Sequence, residues 1–141
     1  MNIRQVMTTD VFTCTIDDTL ARCADNMRHL NVGSMPVIDS DGHVQGIITD
    51  RDITIRAVAA GKDPNQVTVG QFMTPNPVTV LPDVTAQDAA NIMAEQQVRR
   101  LPVVDQNGTL LGIVSLGDLA VDVGEEQMIA ETLEEISVPT R

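Results

Sequence analysis

The hydrophobic and polar positions of this chain follow the same pattern twice. Residues 32–54 and 98–120 each contain an apolar stretch with one Pro, a turn with Gly, and a second apolar stretch. β-Branched residues on both sides of a Gly turn are typical of a β-hairpin. Each second stretch ends at Thr or Ser, and an Asp follows three positions later, where a helix is expected to begin. The pattern therefore predicts a strand, a strand and a helix in each half of the chain.

The two halves align without a gap when the sequence is shifted by 66 positions (118 minus 52). Residues 6–54 then match residues 72–120, with 15 identities over 49 positions. A fixed internal period indicates that one supersecondary unit is present twice. Because a unit of this size buries little surface alone, we expect the two copies to pack on each other.

Each copy also contains a strand and a helix ahead of its hairpin. In the first copy, residues 11–16 are predicted to be a strand, and Leu20, Cys23, Ala24, Met27 and Leu30 then form one apolar stripe of a helix. The helices after the hairpins are expected over residues 50–60 and 116–123. The copies occupy residues 1–61 and 72–123, and a linker spans 62–71. Residues 124–141 are expected to form an acidic helix, Glu125–Ile136, and a tail.

Composition narrows the possible partners. The net charge of −11 opposes binding to the phosphates of nucleic acid. The aromatic residues are limited to Phe12 and Phe72, so base-stacking platforms are also missing. No stretch approaches the roughly 18 apolar residues of a membrane helix, and the N-terminus has no apolar signal segment. We therefore expect a cytoplasmic protein that binds neither nucleic acid nor a membrane.

The two cysteines align with apolar residues of the other copy. Cys14 corresponds to Val80, and Cys23 corresponds to Ala89. Free Cys behaves as a small hydrophobic residue, so both are expected in the core. Neither cysteine has the spacing of a metal site, and no metal site is expected. The sequence leaves open whether the two form a disulfide.

The hairpin-to-helix corners have two interpretations. Thr49 and Asp52, like Ser115 and Asp118, match the capping box, in which each residue satisfies a backbone N–H of the other at the start of a helix. The same helix start also presents free N–H groups to an anion. Capping and ligand binding can coexist, and the pattern alone favours capping.

The paired pattern resembles a tandem pair of cystathionine-β-synthase-type (CBS) domains, known as a Bateman module. The resemblance covers about residues 1–123 and depends on features that both copies share: the Met-Thr pairs at 7–8 and 73–74, the Pro-containing strands at 35–39 and 101–105, the Gly turns, and the two corners. It implies an α+β fold of α/β-type repeats, with two β-α-β-β-α units related by pseudo-twofold symmetry, plus a C-terminal helix.

The resemblance also implies that adenosine-containing ligands bind in clefts between the two units. In that family the corner Asp holds the ribose hydroxyls, the Thr or Ser lies near phosphate, and the other copy supplies the adenine pocket. Carried over, one cleft contains Thr49, Arg51, Asp52, Asn76, Pro77, Val78, Arg99, Arg100, Leu101 and Pro102. The other contains Ser115, Asp118, Asp10, Val11, Phe12, Gly33, Ser34, Met35 and Pro36.

A catalytic arrangement is not visible in the sequence. His29 and His43 align with Glu95 and Thr109, so the other copy lacks both histidines. The resemblance favours a stand-alone regulatory or sensor module, not an enzyme, that binds ATP, ADP, AMP or a similar ligand. No cofactor is required, although Mg²⁺ can accompany the nucleotide, and the downstream protein partner is not identified. The alternatives are a structural or protein-interaction module with empty clefts and, more weakly, S-adenosylmethionine binding or an enzyme with an unrecognised site.

The two clefts are expected to differ in charge. The first corner, its helix and the segment expected to face it contain five of the nine basic residues: Arg51, Arg56, Lys62, Arg99 and Arg100. The repeat places Gly117, Gly33 and Ser34 at the positions of Arg51, Arg99 and Arg100. Charge-assisted hydrogen bonds to phosphate are about twice as strong as neutral ones. The cleft at Asp52 is therefore expected to prefer nucleotides with more phosphates.

We predict that the protein is a homodimer, because small paired units with an additional apolar helix face leave apolar surface available for association. This agrees with the tendency of the CBS family to build discs from two pairs. Light scattering at about 50 µM, a concentration that favours association by mass action, measures the molar mass. The mass of a single chain would contradict the prediction.

Overall fold

The computed structural model describes residues 2–123 and 132–136, which form two compact units. The central unit contains Phe12–Pro77. The terminal unit combines the described residues before Phe12 with those from Val78 onward. Each unit therefore draws on both sequence copies.

The central unit is built on a four-stranded sheet with the order β1-β2-β3-β4. Strand β1 is parallel to β2, and the other neighbouring strands are antiparallel. The elements in chain order are β1 (Cys14–Thr15), α1 (Leu20–Leu30), β2 (Ser34–Ile38), β3 (Val44–Thr49), a π-helix (Asp52–Val58), α2 (Val69–Phe72) and β4 (Thr74–Pro75).

The terminal unit repeats this plan with shorter pairings. Its elements are a 3₁₀ turn (Ile3–Gln5), α3 (Ala86–Gln96), β5 (Arg100–Val104), β6 (Leu110–Ser115) and α4 (Leu116–Val123). Strands β5 and β6 are antiparallel. A parallel bridge joins Val80 to Val103, and an antiparallel bridge joins Thr8 to Ile113, which extends the strand order on both sides.

The opening segments of the two copies are exchanged between the compact units. Thr74, near the start of the second copy, pairs with Ile47 in the central unit. Thr8, its equivalent in the first copy, pairs with Ile113 in the terminal unit. The sequence boundaries at 1–61 and 72–123 describe the repeat, whereas the compact units change at Phe12 and Pro77.

Two equivalent glycines make this exchange sterically possible. A Cβ atom on Gly46 would lie 2.7 Å from the carbonyl oxygen of Thr74 and 2.6 Å from the sulfur of Met73. A Cβ atom on Gly112 would lie 2.6 Å from the carbonyl oxygen of Thr8. Backbone atoms cannot move aside as the end of a flexible side chain can. Strands β3 and β6 therefore each need Gly where the exchanged segment lies against them.

The helices before the hairpins begin and end at equivalent residues. The hydroxyl oxygens of Thr19 and Thr85 accept backbone N–H groups at the starts of α1 and α3. Asn31 and Gln97 end these helices with φ of 56°, in the left-handed region. Threonine is a favoured N-cap because its hydroxyl replaces a missing backbone partner. The predicted apolar stripe of α1 is confirmed: Leu20, Cys23 and Met27 are buried, and Ala24 and Leu30 pack against the same core.

The helix predicted over residues 50–60 is helical but differs in type. A π-helix occupies Asp52–Val58, and the N–H of Ala59 donates to the carbonyl oxygen of Thr54 at 2.9 Å, five residues back. Gly61 follows with φ of 75°, consistent with a helix stop. The equivalent α4 is an ordinary α-helix with the predicted bounds. π-Helices are rare and occur frequently at functional sites.

Each unit has its own hydrophobic core. The central core includes Cys14, Cys23, Val37 and Ile48, and the terminal core includes Met93, Val103, Val114 and Leu119. Sheet strands flanked by helices confirm the predicted α+β class with paired repeats.

The C-terminal region is described only over residues 132–136, which are helical. The rest of the predicted helix, residues 125–131, lies outside the described residues. Ile136 packs against the core of the terminal unit. Within the described residues, no helix is long and apolar enough to cross a membrane.

The cysteines occupy the core, as the repeat predicted. Both are free thiols with 0% exposure, and their Sγ atoms are 3.1 Å apart. The contact with Cys23 and the burial of the thiol raise the pKa of Cys14. Val80 and Ala89, the equivalents, are buried in the other unit. Packing therefore explains both cysteines.

We predict that Cys14→Val and Cys23→Ala each leave the fold intact, because each variant copies the other unit. The free energy of unfolding, measured in urea, should fall by less than roughly 2 kcal/mol. Met35→Ala is the control: its sulfur lies 3.8 Å from Cys14 Sγ, and loss of this buried side chain should cost roughly 2–5 kcal/mol. A loss above roughly 3 kcal/mol for either cysteine would assign it a role beyond packing.

Candidate functional site

The candidate site residues are concentrated at two corners, each where a hairpin ends and a helix begins. The Thr49 corner consists of residues 49–52 with Gly33 and Ser34, and Ser34 pairs with Thr49 across β2 and β3. The Ser115 corner consists of residues 115–118 with Arg99 and Arg100, and Arg100 pairs with Ser115 across β5 and β6. The N–H groups of Asp50 and Leu116 each donate at 2.9 Å, to the carbonyl oxygens of Gly33 and Arg99. The two corners thus share one backbone geometry.

Both corners contain a complete capping box. The N–H of Thr49 donates to Asp52 Oδ2 at 3.0 Å, and the N–H of Asp52 donates to Thr49 Oγ1 at 3.0 Å. The N–H of Ser115 donates to Asp118 Oδ2 at 2.8 Å, and the N–H of Asp118 donates to Ser115 Oγ at 3.1 Å. The capping interpretation is therefore confirmed in both copies. One oxygen of each carboxylate takes part in its cap.

A pocket of about 370 Å³ lies at the Ser115 corner. Its lining combines two basic side chains, a hydroxyl, the start of α4 and apolar groups, from Arg99, Arg100, Ser115, Leu116, Gly117 and Leu133. Both arginines are exposed. Among the described residues that line this pocket, none is acidic. The pocket can therefore receive an anionic group beside apolar surface.

The Thr49 corner has a different charge. The Asp50 carboxylate lies against Gly33, since a Cβ atom on Gly33 would be 3.1 Å from Asp50 Oδ2. Asp50 Oδ1 also accepts the N–H of Arg51 at 2.8 Å. The equivalents of Asp50 and Gly33 in the Ser115 corner are Leu116 and Arg99. An acid and a glycine thus stand where the other corner has an apolar side chain and a cation.

The clefts that the resemblance implies, which group Arg99 and Arg100 with Asp52, and Gly33 and Ser34 with Asp118, stay predictions. Within the terminal unit, Arg99 and Arg100 lie beside Ser115. Within the central unit, Gly33 and Ser34 lie beside Thr49. The hairpin register explains both placements, because it brings the residues at the start of each first strand next to the corner of the same copy.

The other predicted residues divide between the two units. Pro36 and Pro102, with Met35 and Leu101, have buried side chains in the hairpins. Asn76 has φ of 50°, and its N–H donates to the carbonyl oxygen of Gln45 at 3.3 Å. The central unit contains Phe12, Asn76 and Pro77, and the terminal unit contains Asp10, Val11 and Val78. Their roles as ligand contacts stay predictions.

Sequence reasoning missed Leu116 and Leu133 as pocket residues. Leu116 could have been found from its position next to Ser115 at the start of the helix. Leu133 lies beyond the aligned copies, so the repeat gave no signal for it. Its place at the pocket is a property of the folded chain alone.

Arg56 connects the π-helix to the exchanged segment of the central unit. Its Nη1 donates to the carbonyl oxygen of Phe72 at 2.7 Å. The same Nη1 lies 4.0 Å from Asp52 Oδ1, the oxygen outside the capping box contact. Arg56 lies beyond the aligned part of the copies, so the repeat does not predict this link in the second copy.

Asp39, Asp41 and His43 form a group whose possible metal-ligating atoms lie within 4.8 Å of one another. Asp39 Oδ1 accepts the N–H groups of Asp41 and His43, each at 2.9 Å, and the bond from His43 is the largest cause of the lowered pKa of Asp39. Asp105 accepts the equivalent N–H groups, from Asn107 and Thr109. Turn stabilisation explains the conserved geometry of both hairpins without an ion.

Comparison with known proteins shows which family has this repeated pattern. The family model described as CBS domain matches residues 3–58 and 69–125. CBS domain-containing protein YhcV of Bacillus subtilis is 40% identical over 136 residues, which cover 96% of this chain and 95% of that protein.

Two solved structures show the same likeness. The structure of Hypoxic Response Protein I with two coordinated zinc ions has a TM-score of 0.80 and 35% identity, and the match covers 86% of this chain and 98% of that one. Its namesake among the curated relatives comes from Mycobacterium tuberculosis. The structure of CBSX2 in complex with AMP has a TM-score of 0.76 and 25% identity, covering 89% of this chain and 98% of that one.

We predict that Ser115→Ala and Thr49→Ala each lower the free energy of unfolding by about 1 kcal/mol, because each removes the hydroxyl that caps a helix. Chemical denaturation of the protein without ligand measures this loss. The matched controls exchange the two residues: Ser115→Thr and Thr49→Ser keep a hydroxyl and should remain close to wild type. If the alanine variants were as stable as these controls, capping would not be the role of the hydroxyls.

Proposed function

This chain belongs to the CBS domain family, and we propose that it is a regulatory module that binds an adenosine-containing ligand carrying phosphate. The observation that carries the proposal is the pocket at the Ser115 corner. The complex of the similar CBSX2 with AMP supports the ligand class.

The chemistry of the pocket suits a phosphate group. Arg99 and Arg100 supply two cations in a chain whose net charge is −11, so the corner differs from the average surface. Guanidinium groups bind phosphate with charge-assisted hydrogen bonds in a geometry that favours paired contacts. The start of α4, at Leu116 and Gly117, adds the positive end of a helix dipole.

Asp118, which belongs to the Ser115 corner but is not among the residues that line the pocket, and two leucines of the pocket suit a nucleoside. Asp118 Oδ1 is not used in the capping contact, since the N–H of Ser115 donates to Oδ2. A carboxylate oxygen in this position can accept hydrogen bonds from ribose hydroxyls. Leu116 and Leu133 supply apolar surface within the same pocket. We therefore assign the phosphate to the arginines and the ribose to Asp118.

The two corners should prefer different ligands. The Thr49 corner contains the cation Arg51, but the neighbouring Asp50 carboxylate offsets its charge and repels phosphate. Gly33 and Ser34 stand where the other corner has two arginines. The Thr49 corner favours a less charged adenosine compound or binds weakly. The proposed preference is the reverse of the one expected from the sequence, because it is based on the place of the arginines beside Ser115 within the terminal unit.

Regulation follows if the ligand binds two conformations of the protein with different affinity, since only differential affinity shifts an equilibrium. No chemical step on the ligand is proposed. The alternative of a structural or interaction module also has an observation in its favour: the capping boxes explain both Asp residues without a ligand. Asp118→Glu, which keeps a capping acid but moves its carboxylate, distinguishes the ligand-binding module from the interaction module.

We predict that Arg99→Ala and Arg100→Ala each weaken ATP binding at least about tenfold, because each removes a charge-assisted contact with phosphate. Calorimetry with ATP, AMP and adenosine, with and without Mg²⁺, measures the dissociation constants. Adenosine binding should change little, since it lacks phosphate. Asp118→Glu, which retains a capping acid at the same position, should weaken all three ligands while preserving stability.

Arg28→Ala is the matched control for net charge. Arg28 is exposed on α1, pairs with Asp25 and is not among the residues of either corner. The Arg28→Ala variant should bind ATP with the affinity of the wild type. Unchanged ATP affinity in both Arg99→Ala and Arg100→Ala would contradict the assignment. Loss of ATP binding in Asp52→Ala, together with unchanged ATP binding in Asp118→Glu, would also contradict it. No binding of any adenosine compound by the wild type would favour the interaction module.

A further inference from the structure

The C-terminal helical segment, residues 132–136, docks on the terminal unit at three points. Thr132 is 5% exposed. Ile136 packs against the core cluster of this unit. Gln97 Nε2 donates to the carbonyl oxygen of Glu135 at 3.5 Å, which joins the segment to the residue that ends α3. The segment is thus a part of the terminal unit although it lies outside the repeated sequence.

One side chain of this segment reaches the candidate site. Leu133 lines the pocket together with Arg99, Arg100 and Ser115, and it is 38% exposed. A partly exposed leucine at the wall of a cationic pocket offers apolar surface to the uncharged part of a ligand. Glu134 and Glu135 are exposed and are not among the lining residues. The segment therefore presents its apolar residue, not its acids, to the pocket.

The Thr49 corner has no equivalent of Leu133 in the sequence. The two copies align only as far as Thr54 and Ala120, and residue 133 less 66 is residue 67, a valine of the linker. The repeat therefore does not predict the same contact at the Thr49 corner.

We propose that residues 132–136 form a ligand-responsive wall of the Ser115 corner, in which Leu133 contacts the bound nucleotide and the ligand in turn stabilises the docked segment. The inference rests on the proposed function of this corner. Coupling between two events is reciprocal, so a ligand that binds better to the docked form must favour docking by the same factor. Ligand binding at the corner would then change how stably residues 132–136 are docked.

The test compares Leu133→Ala with Leu81→Ala in the full chain. Leu81 is a leucine of the same unit with similar exposure, 40%, and does not line the pocket. Leu133→Ala should weaken ATP binding roughly three- to tenfold through lost apolar contact, and Leu81→Ala should bind as the wild type does. Hydrogen exchange of the wild type should slow in peptides covering 132–136 when ATP is added, and this slowing should diminish in Leu133→Ala.

The outcomes separate this inference from the proposed function. If Arg99→Ala weakens ATP binding but Leu133→Ala does not, the corner binds nucleotide and the wall is refuted. Tighter binding by Leu133→Ala would also refute it, because the segment would then compete with the ligand. Exchange over 132–136 that ATP leaves unchanged would refute the coupling. Absence of ATP binding by the wild type would refute both proposals.

Discussion

The close approach of backbone at Gly46 and Gly112 is the contact on which the two units depend. At Gly46 in β3, the opening segment of the second copy lies too close to leave room for a side chain. At Gly112 in β6, the opening segment of the first copy does the same. The exchange gives the central unit its fourth strand. An alanine at either position would require movement of a carbonyl group and not only of the methionine beside it. Each compact unit therefore combines residues from both copies of the sequence unit.

The repeat fixes the backbone of the corners but not their chemistry. In both copies the hairpin register places the start of its first strand beside the start of its helix. The capping boxes are equivalent bond for bond. The hydrogen bonds that hold the corner use backbone groups and the capping residues. The fold therefore does not require the same side chains at the positions of Arg99, Arg100 and Leu116 in both copies. One corner has become cationic, and the other holds an acid against a glycine.

Local pattern was sufficient to predict the repeat, the hairpins, α4 and the buried cysteines, because strand alternation, turn glycines and helix stripes act over a few residues. It could not predict the π-helix, since the equivalent residues of the other copy form an α-helix. The motifs predicted which residues occupy the corners. The place of Arg99 beside Ser115 follows from the register of the predicted hairpin. The place of Leu133 at the same pocket could not be predicted, because it depends on the packing of a segment outside the repeat.

The most direct test of the account is a crystal structure of the protein grown with ATP. We expect nucleotide at the Ser115 corner, with phosphate oxygens within hydrogen-bonding distance of Arg99 or Arg100 and the ribose hydroxyls at Asp118. We also expect Leu133 in contact with the ligand. Nucleotide bound at the Thr49 corner alone, with the Ser115 corner free of it, would contradict the central claim that the arginines determine where phosphate binds.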